Sequence, residues 1–136
     1  MSPISFINQV PATARIPRAV IYKTFKKAAR HHGARLLDKH LSLVFMAEGD
    51  IKKLNTDYRH KGKATNVLSF ASSVKGELGD IIICPAIARA EATERGEPLA
   101  GWVNYLFIHG LLHLLGYDHN NNQAEKLMLK AEAKLK

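Results

Sequence analysis

The segment FIHGLLHLLGYDHN (107–120) places His109, His113 and His119 in one of the most apolar parts of the chain. Leucines fill most of the space between them, and the segment predicts a mostly buried helix over 102–115. On such a helix the first two histidines share one face, about 6 Å apart along the axis. Histidines in so apolar a setting need polar partners, and the fold must supply something for these nitrogen atoms to bind.

A straight helix cannot bring the third histidine to this face, because His119 would lie about 15 Å beyond His109. The chain must end the helix and fold back, and Gly116 allows this because glycine adopts positive φ without steric cost. The sequence therefore predicts three nitrogen ligands and an open fourth position, which is how catalytic zinc is held. One zinc ion per chain is the expected cofactor, although imidazole also suits nickel, copper and iron. The alternative is a buried helix that carries histidines without a metal.

The histidine spacing also matches the metal-binding motif of metzincin proteases, His-Glu-x-x-His-x-x-Gly-x-x-His. Gly110 stands where those proteases have the glutamate that acts as general base. A site without that carboxylate can still activate water or polarise a substrate, but peptide hydrolysis is not expected of it.

Three segments together resemble the YbeY family of rRNA maturation factors, which are single-strand-specific endoribonucleases. They are LNTDYRHKGKATNVLSF (54–70), LGDIIIC (78–84) and HGLLHLLGYDH (109–119), and the resemblance covers the chain from about Leu54 onward. It implies maturation of the 16S rRNA 3′ end, ribosome quality control, the small ribosomal subunit as a partner and a cytoplasmic location. This chain has Asn66 where many members have aspartate, and ASSVKGE replaces their Pro-Phe-Glu run.

The resemblance also implies site residues: His109, His113 and His119 as zinc ligands and Arg59 as the catalytic basic residue. Phosphodiester cleavage builds negative charge on phosphate oxygens, and a guanidinium pairs with them in a bidentate fork. The expected mechanism is polarisation of a water or a phosphate oxygen by the ion while Arg59 holds the phosphate. No general base is identified by the sequence.

The charge of the chain points to an anionic partner. Its formal net charge is +8, and residues 15–63 hold 13 Lys and Arg against 4 acids, a balance of +9. Nucleic acid is the first candidate and a membrane surface the second. The predicted RNA-binding residues are Lys23, Lys26, Lys27, Arg30, Lys61 and Lys63. A solvated face with chance clustering is the alternative, and no aromatic stacking motif for single-stranded bases is visible in the sequence.

Two acids have candidate local roles. Asp118 could orient the imidazole of a metal ligand from outside the ligand set. Asp80 is expected to be a turn residue at the start of a buried strand.

The predicted fold is α+β, with a single domain over 1–136 and a small mixed sheet of about four strands. Strands are expected at 41–47, 67–71 and 80–84. Helices are expected over 17–33, 51–58 with Asp50 as cap, 85–96, 102–115 and 122–136. Val20, Ile21, Phe25 and Ala28 are expected to face the core. The lone Cys84 excludes a disulfide framework. The first ten residues are not expected to be a signal peptide, and no apolar run of the sequence approaches the roughly 20 residues that span a bilayer.

Two rival functions remain open. One is a non-catalytic ribosome-assembly factor with a structural zinc, for which His60 is the nearest candidate fourth ligand. The other is a metal-dependent hydrolase of another substrate. The oligomeric state is also left open by the sequence.

Overall fold

The structure is a computed structural model that describes residues 3–10, 16–59 and 66–136, except the side chains of residues 58 and 59. Within these ranges the strands are β1 Ile4–Asn8, β2 His40–Phe45, β3 Val67–Ala71 and β4 Glu77–Ile83. The helices are α1 Arg18–His32, α2 Glu48–Arg59, α3 Pro85–Arg95, α4 Leu99–Leu114 and α5 Asn122–Leu135, with a 3-10 helix at Ala34–Asp38.

The strands form one mixed sheet in the order β1-β2-β4-β3. β1 and β4 both run parallel to β2, whereas β3 is antiparallel to β4. This arrangement confirms the predicted α+β class and the mixed sheet of four strands.

Both faces of the sheet are covered, as the run of three isoleucines in β4 predicted. Ile81 and Ile83 belong to the main core, which also includes buried side chains from α1, α3, α4 and α5. Ile82 points to the opposite face and packs in a smaller cluster with Ile51 of α2. The alternation follows the two-residue period of a strand, and it puts the large helices on the face that carries the histidines.

Four details differ from the sequence-based expectations. β1, which was not predicted, is a short edge strand with only partial burial, so its apolar signal is weak. β4 begins at Glu77, which places Asp80 inside the strand rather than in a turn before it. Val20 is 42% exposed and does not face the core. Asp50 lies in the first turn of α2, which starts three residues earlier than expected.

Helix α4 lies directly against β3 and β4, and Gly110 marks the closest approach. A Cβ at this position would be 2.8 Å from Ile81 Cγ2 and 3.1 Å from Ser69 Oγ. The Ser69 hydroxyl donates to the Gly110 carbonyl at 3.1 Å. A glutamate at this position would collide with the sheet, which gives a packing reason for the glycine. Among the described helices, α4 included, none has the length and apolar character to cross a membrane.

Candidate metal centre

The C-terminal end of α4 turns the chain back as the sequence predicted. Gly116 has φ of 101°, its N–H donates to the His113 carbonyl, and the Tyr117 N–H donates to the Leu112 carbonyl. These two bonds form a Schellman motif, the common ending of a helix at glycine. Asn121 then caps α5 by accepting the Ala124 N–H at 2.8 Å. The loop between the helices is therefore fixed at both ends.

The three predicted histidine ligands come together at this turn. One ligand nitrogen from each of His109, His113 and His119 can be chosen so that all lie within 4.8 Å of one another. The ring centroids are 4.7 Å apart for the first two residues, and 5.8 and 5.2 Å from these to the third. His109 and His113 are half-buried and His119 is exposed. The group is thus able to bind a metal ion and is open to solvent on one side.

The hydrogen bonds of the first two imidazoles define their tautomers. His109 Nδ1 is 2.9 Å from Glu132 Oε2, and His113 Nδ1 is 3.1 Å from the Tyr117 carbonyl oxygen. A carbonyl oxygen only accepts, and so does an ionised carboxylate, so each Nδ1 is assigned the proton and donates. In the neutral rings, both Nε2 atoms then carry lone pairs directed away from these partners.

These two Nε2 atoms lie 3.2 Å apart. Two lone pairs facing each other at this distance repel unless a cation or a proton lies between them. Tetrahedral zinc with Zn–N bonds of about 2.0–2.1 Å separates two nitrogen ligands by about 3.3 Å. The residues therefore fit a tetrahedral ion, and this separation is the most direct structural sign of a metal centre.

Glu132, in α5, is the polar partner that the sequence reasoning missed. It is 3% exposed, and besides the bond from His109 its Oε1 accepts from the Tyr105 hydroxyl at 3.2 Å. A carboxylate behind a ligand imidazole fixes the ring and increases the basicity of the ligand. The available signal was an acid in step with Met128 and Leu135 on the apolar face of the terminal helix.

Burial has a direct effect on the charge of the site. It lowers the pKa of His113 below the ordinary value for histidine, and the imidazoles of His109 and His119 lower it further. A lower pKa favours the neutral ring, which is the form that binds metal. Burial also raises the pKa of Tyr105, with a further contribution from the Glu132 carboxylate, so its hydroxyl keeps its proton and donates.

Asp118, predicted to orient a ligand, makes a different contact. Its Oδ1 accepts the backbone N–H of His119 at 2.7 Å. This bond shapes the loop that presents the third histidine. The carboxylate also raises the pKa of His113, opposing the larger effect of burial.

A cavity of about 560 Å³ opens in front of the histidines. Its walls come from the ligand loop and from β3, with Asn66, Val67 and Ser69 opposite His109 and His113. The side-chain amide of Asn66 donates to Glu91 at 3.2 Å. Asn66 therefore lies beside the candidate metal centre.

The basic residues predicted from the sequence are distributed over two parts of the chain. Arg59 is the last residue of α2, and its side chain lies outside the described part, as do His60, Lys61 and Lys63. On α1, Lys23, Lys26 and Arg30 are exposed. The fourth, Lys27, donates to the carbonyl of Lys136 at 3.0 Å, so it already holds α1 to the C-terminal segment.

The mixed sheet and the three-histidine centre define a protein of the α+β class that can bind a metal ion with an open coordination position. The family described as Endoribonuclease YbeY matches residues 7–136. The chain belongs to the YbeY family, and the match extends further toward the N-terminus than the motifs do.

Relatives named Endoribonuclease YbeY come from distant bacteria. The protein from Bdellovibrio bacteriovorus is 39% identical over 102 residues, which cover 75% of this chain and 66% of that protein. The protein from Pseudomonas putida strain F1 is 41% identical over 107 residues, which cover 74% of this chain and 68% of that protein. The protein from Staphylococcus carnosus is 43% identical over 101 residues, which cover 67% of this chain and 66% of that protein. The matched part of this chain spans about two thirds of the length of these relatives.

The fold has a solved counterpart in a Thermotoga maritima protein determined in solution. The TM-score is 0.60 with 24% sequence identity, covering 97% of this chain and 88% of the other. This likeness supports the α+β fold and its topology.

Proposed function

We propose that this protein is a zinc-dependent endoribonuclease that cuts single-stranded ribosomal RNA at the 3′ end of the small-subunit precursor, in the cytoplasm and with the small ribosomal subunit as partner. The observation that carries the proposal is the pair of His109 and His113 Nε2 atoms 3.2 Å apart, both facing away from their own Nδ1 acceptors. The named activity of the relatives and the +8 net charge agree with an RNA substrate.

The donor set favours zinc among the metals that imidazole binds. Three neutral nitrogen ligands with a fourth position free are the arrangement of catalytic zinc, and no thiolate is near to favour softer metals among the described residues. When bound, zinc supplies a Lewis acid that neutralises charge developing on a phosphodiester and lowers the pKa of water.

The protein's own residues would then prepare this position. Glu132 and the Tyr117 carbonyl hold the protons of His109 and His113 at Nδ1, which leaves both Nε2 atoms as ligands. The Schellman turn and the Asp118 bond present His119 on the open side of the site. His119 also lines the cavity in front of the histidines, in which an RNA strand would meet the ligands.

RNA cleavage by metal-loaded and metal-stripped protein tests the proposal. The substrate is an RNA that spans the 3′ end of the small-subunit rRNA precursor, compared with the same sequence held in a duplex. Zinc-dependent cutting of the single-stranded form only is expected. Absence of cleavage with zinc bound would favour a non-catalytic assembly factor. Hydrolysis of a different substrate instead of RNA would indicate the second rival.

Arg59 is proposed as the catalytic residue that holds the phosphate. Arg59→Ala is expected to reduce single-turnover cleavage by on the order of 10²-fold, because a positioned cation stabilises charge that develops in the transition state. Arg59→Lys should recover little, since an ammonium lacks the planar fork. Zinc content and melting temperature should not change.

The matched control is Arg89→Ala, which removes an exposed arginine of α3. Cleavage by Arg59→Ala at the level of this control would remove Arg59 from the mechanism. Loss of zinc or early melting in Arg59→Ala would make it a structural residue.

A further inference from the structure

A second and larger cavity, of about 750 Å³, adjoins the metal centre. Asn66, Val67 and His109 line both cavities. The two cavities therefore adjoin each other at His109, a proposed metal ligand.

The wall of this cavity holds a column of rings and cations. The guanidinium of Arg95 lies 4.2 Å from the centroid of the Trp102 ring. Trp102 and Tyr105 are stacked, with centroids 4.9 Å apart and an interplanar angle of 20°. The ammonium of Lys136 lies 4.9 Å from the centroid of Tyr105. The sequence did not reveal this column, because two aromatic residues three apart on an apolar helix are typical of core packing.

Hydrogen bonds hold the column in place, and the two neighbouring acids, Glu91 and Glu132, are the acceptors of these bonds. Glu91 Oε1 accepts from the Trp102 indole N–H at 3.0 Å, and both Glu91 oxygens accept from Asn66. Glu132 accepts from Tyr105. Among the described residues, the ion pairs involve histidine and not Arg95 or Lys136, so these two cations are held over ring faces.

The exposed parts of the column decide which groups a ligand can meet. Trp102 is only 7% exposed, so it is a rigid back wall. Tyr105 is half-buried and Arg95 is exposed. Unpaired RNA bases stack on tyrosine rings and on arginine guanidinium planes, and such stacking tolerates any base. An amine on a flexible stem, such as that of Lys136, can move from a ring face to a phosphate.

We propose that this column is a base-binding subsite, in which an unpaired base next to the scissile phosphate stacks on Tyr105 in place of the Lys136 ammonium, while Arg95 supports the stack from the other side of Trp102. The subsite rests on the proposed endoribonuclease function for its RNA substrate. It provides a physical reason for a preference for single strands, because a base within a duplex is already stacked and paired and cannot enter the cavity.

The single tryptophan of the chain, Trp102, reports on this subsite without any cleavage. Zinc-loaded protein is titrated with the 5′-monophosphates of the four ribonucleosides, and ribose 5-phosphate serves as the control that lacks a base. Saturable quenching of Trp102 fluorescence is expected with the nucleotides and not with ribose 5-phosphate. Equal responses to both would overturn the proposal.

Substitutions at Tyr105 isolate the contribution of the ring. Tyr105→Leu and Tyr105→Phe both lose the hydroxyl bond to Glu132, but only the phenylalanine variant keeps a ring for stacking. Nucleotide affinity is expected to be at least about fivefold weaker in Tyr105→Leu than in Tyr105→Phe. The same ratio is expected in KM for single-stranded RNA. Equal affinities in the two variants would refute stacking on this ring.

Arg95→Gln provides an independent variant at an exposed position, where loss of the fold is not expected. It should weaken nucleotide binding at least about threefold, whereas Arg89→Gln on the same helix should not. Binding by Arg95→Gln at the level of that control would also count against the subsite. If nucleotides bind as expected but RNA is not cut with zinc bound, the subsite stands as a nucleotide site and the endoribonuclease proposal fails.

Discussion

Replacing Glu132 with glutamine is expected to weaken zinc binding by roughly 10- to 100-fold, because the Glu132 carboxylate holds the imidazole of His109, a proposed zinc ligand. The carboxylate accepts two hydrogen bonds, from His109 Nδ1 at 2.9 Å and from the Tyr105 hydroxyl at 3.2 Å. Glutamine offers one carbonyl oxygen and an NH₂ group that can only donate. His109 therefore either loses its acceptor or keeps only an uncharged amide oxygen in place of the carboxylate.

The size of the effect follows from this loss. A hydrogen bond to a charged group contributes about 1.5–3 kcal/mol, and Glu132 is 3% exposed, so water does not replace the lost acceptor. About 1.4 kcal/mol corresponds to a factor of ten in affinity. Loss of the bond from His109 is therefore expected to lower the zinc affinity by about one to two orders of magnitude. The remaining bond cannot compensate, because an uncharged amide oxygen is the weaker acceptor.

Competition for zinc against a chromogenic chelator measures this affinity directly. Glu125→Gln is the matched control, since Glu125 is an exposed acid in the first turn of the same helix. Melting of the metal-stripped proteins separates an effect on the site from an effect on the fold. A zinc affinity of Glu132→Gln within twofold of the control would refute the orienting role of Glu132.

Three further perturbations test other parts of the structure. His113→Ala should bind no stoichiometric zinc by elemental analysis and should lose the rise in melting temperature that zinc gives the wild type; equal zinc in both proteins would disprove the ligand assignment. Gly110→Ala should lower the free energy of unfolding in urea by about 1–3 kcal/mol, because its Cβ would contact β4 at 2.8 Å; an unchanged value would mean that α4 shifts freely. Reversing Lys23, Lys26 and Arg30 to glutamate should flatten the dependence of log RNA affinity on log salt, and an unchanged slope would mean that this face is only solvated.

Local chemistry explains which parts of the site the sequence could predict. The histidines and Gly116 lie within one short segment, where helical geometry alone determines which rings can meet. Glu132 follows His109 by 23 residues, and only the packing of α5 against α4 brings the two together. The one local sign of this role was that Glu132 is an acid on the apolar face of a helix.

The fold was likewise predictable where a local pattern determines the structure, and not where packing does. The three consecutive isoleucines at 81–83 predicted a strand buried on both faces, because β-branched residues favour strands and successive side chains of a strand point to opposite faces. By contrast, β1 was missed because an edge strand with one buried residue, Ile4, has no such pattern. The stacked pair Trp102 and Tyr105 was not singled out within the predicted buried helix, since the cavity beside it exists only after β3 and α3 have packed.

The position of Glu132 in α5 also has a consequence for the order in which the site is completed during synthesis. A growing chain contains all three histidines before it contains the acid that orients the first of them. Until α5 has docked, His109 lacks its carboxylate partner and Tyr105 lacks its acceptor. The candidate metal centre therefore reaches its final form only once α5 has docked against α4.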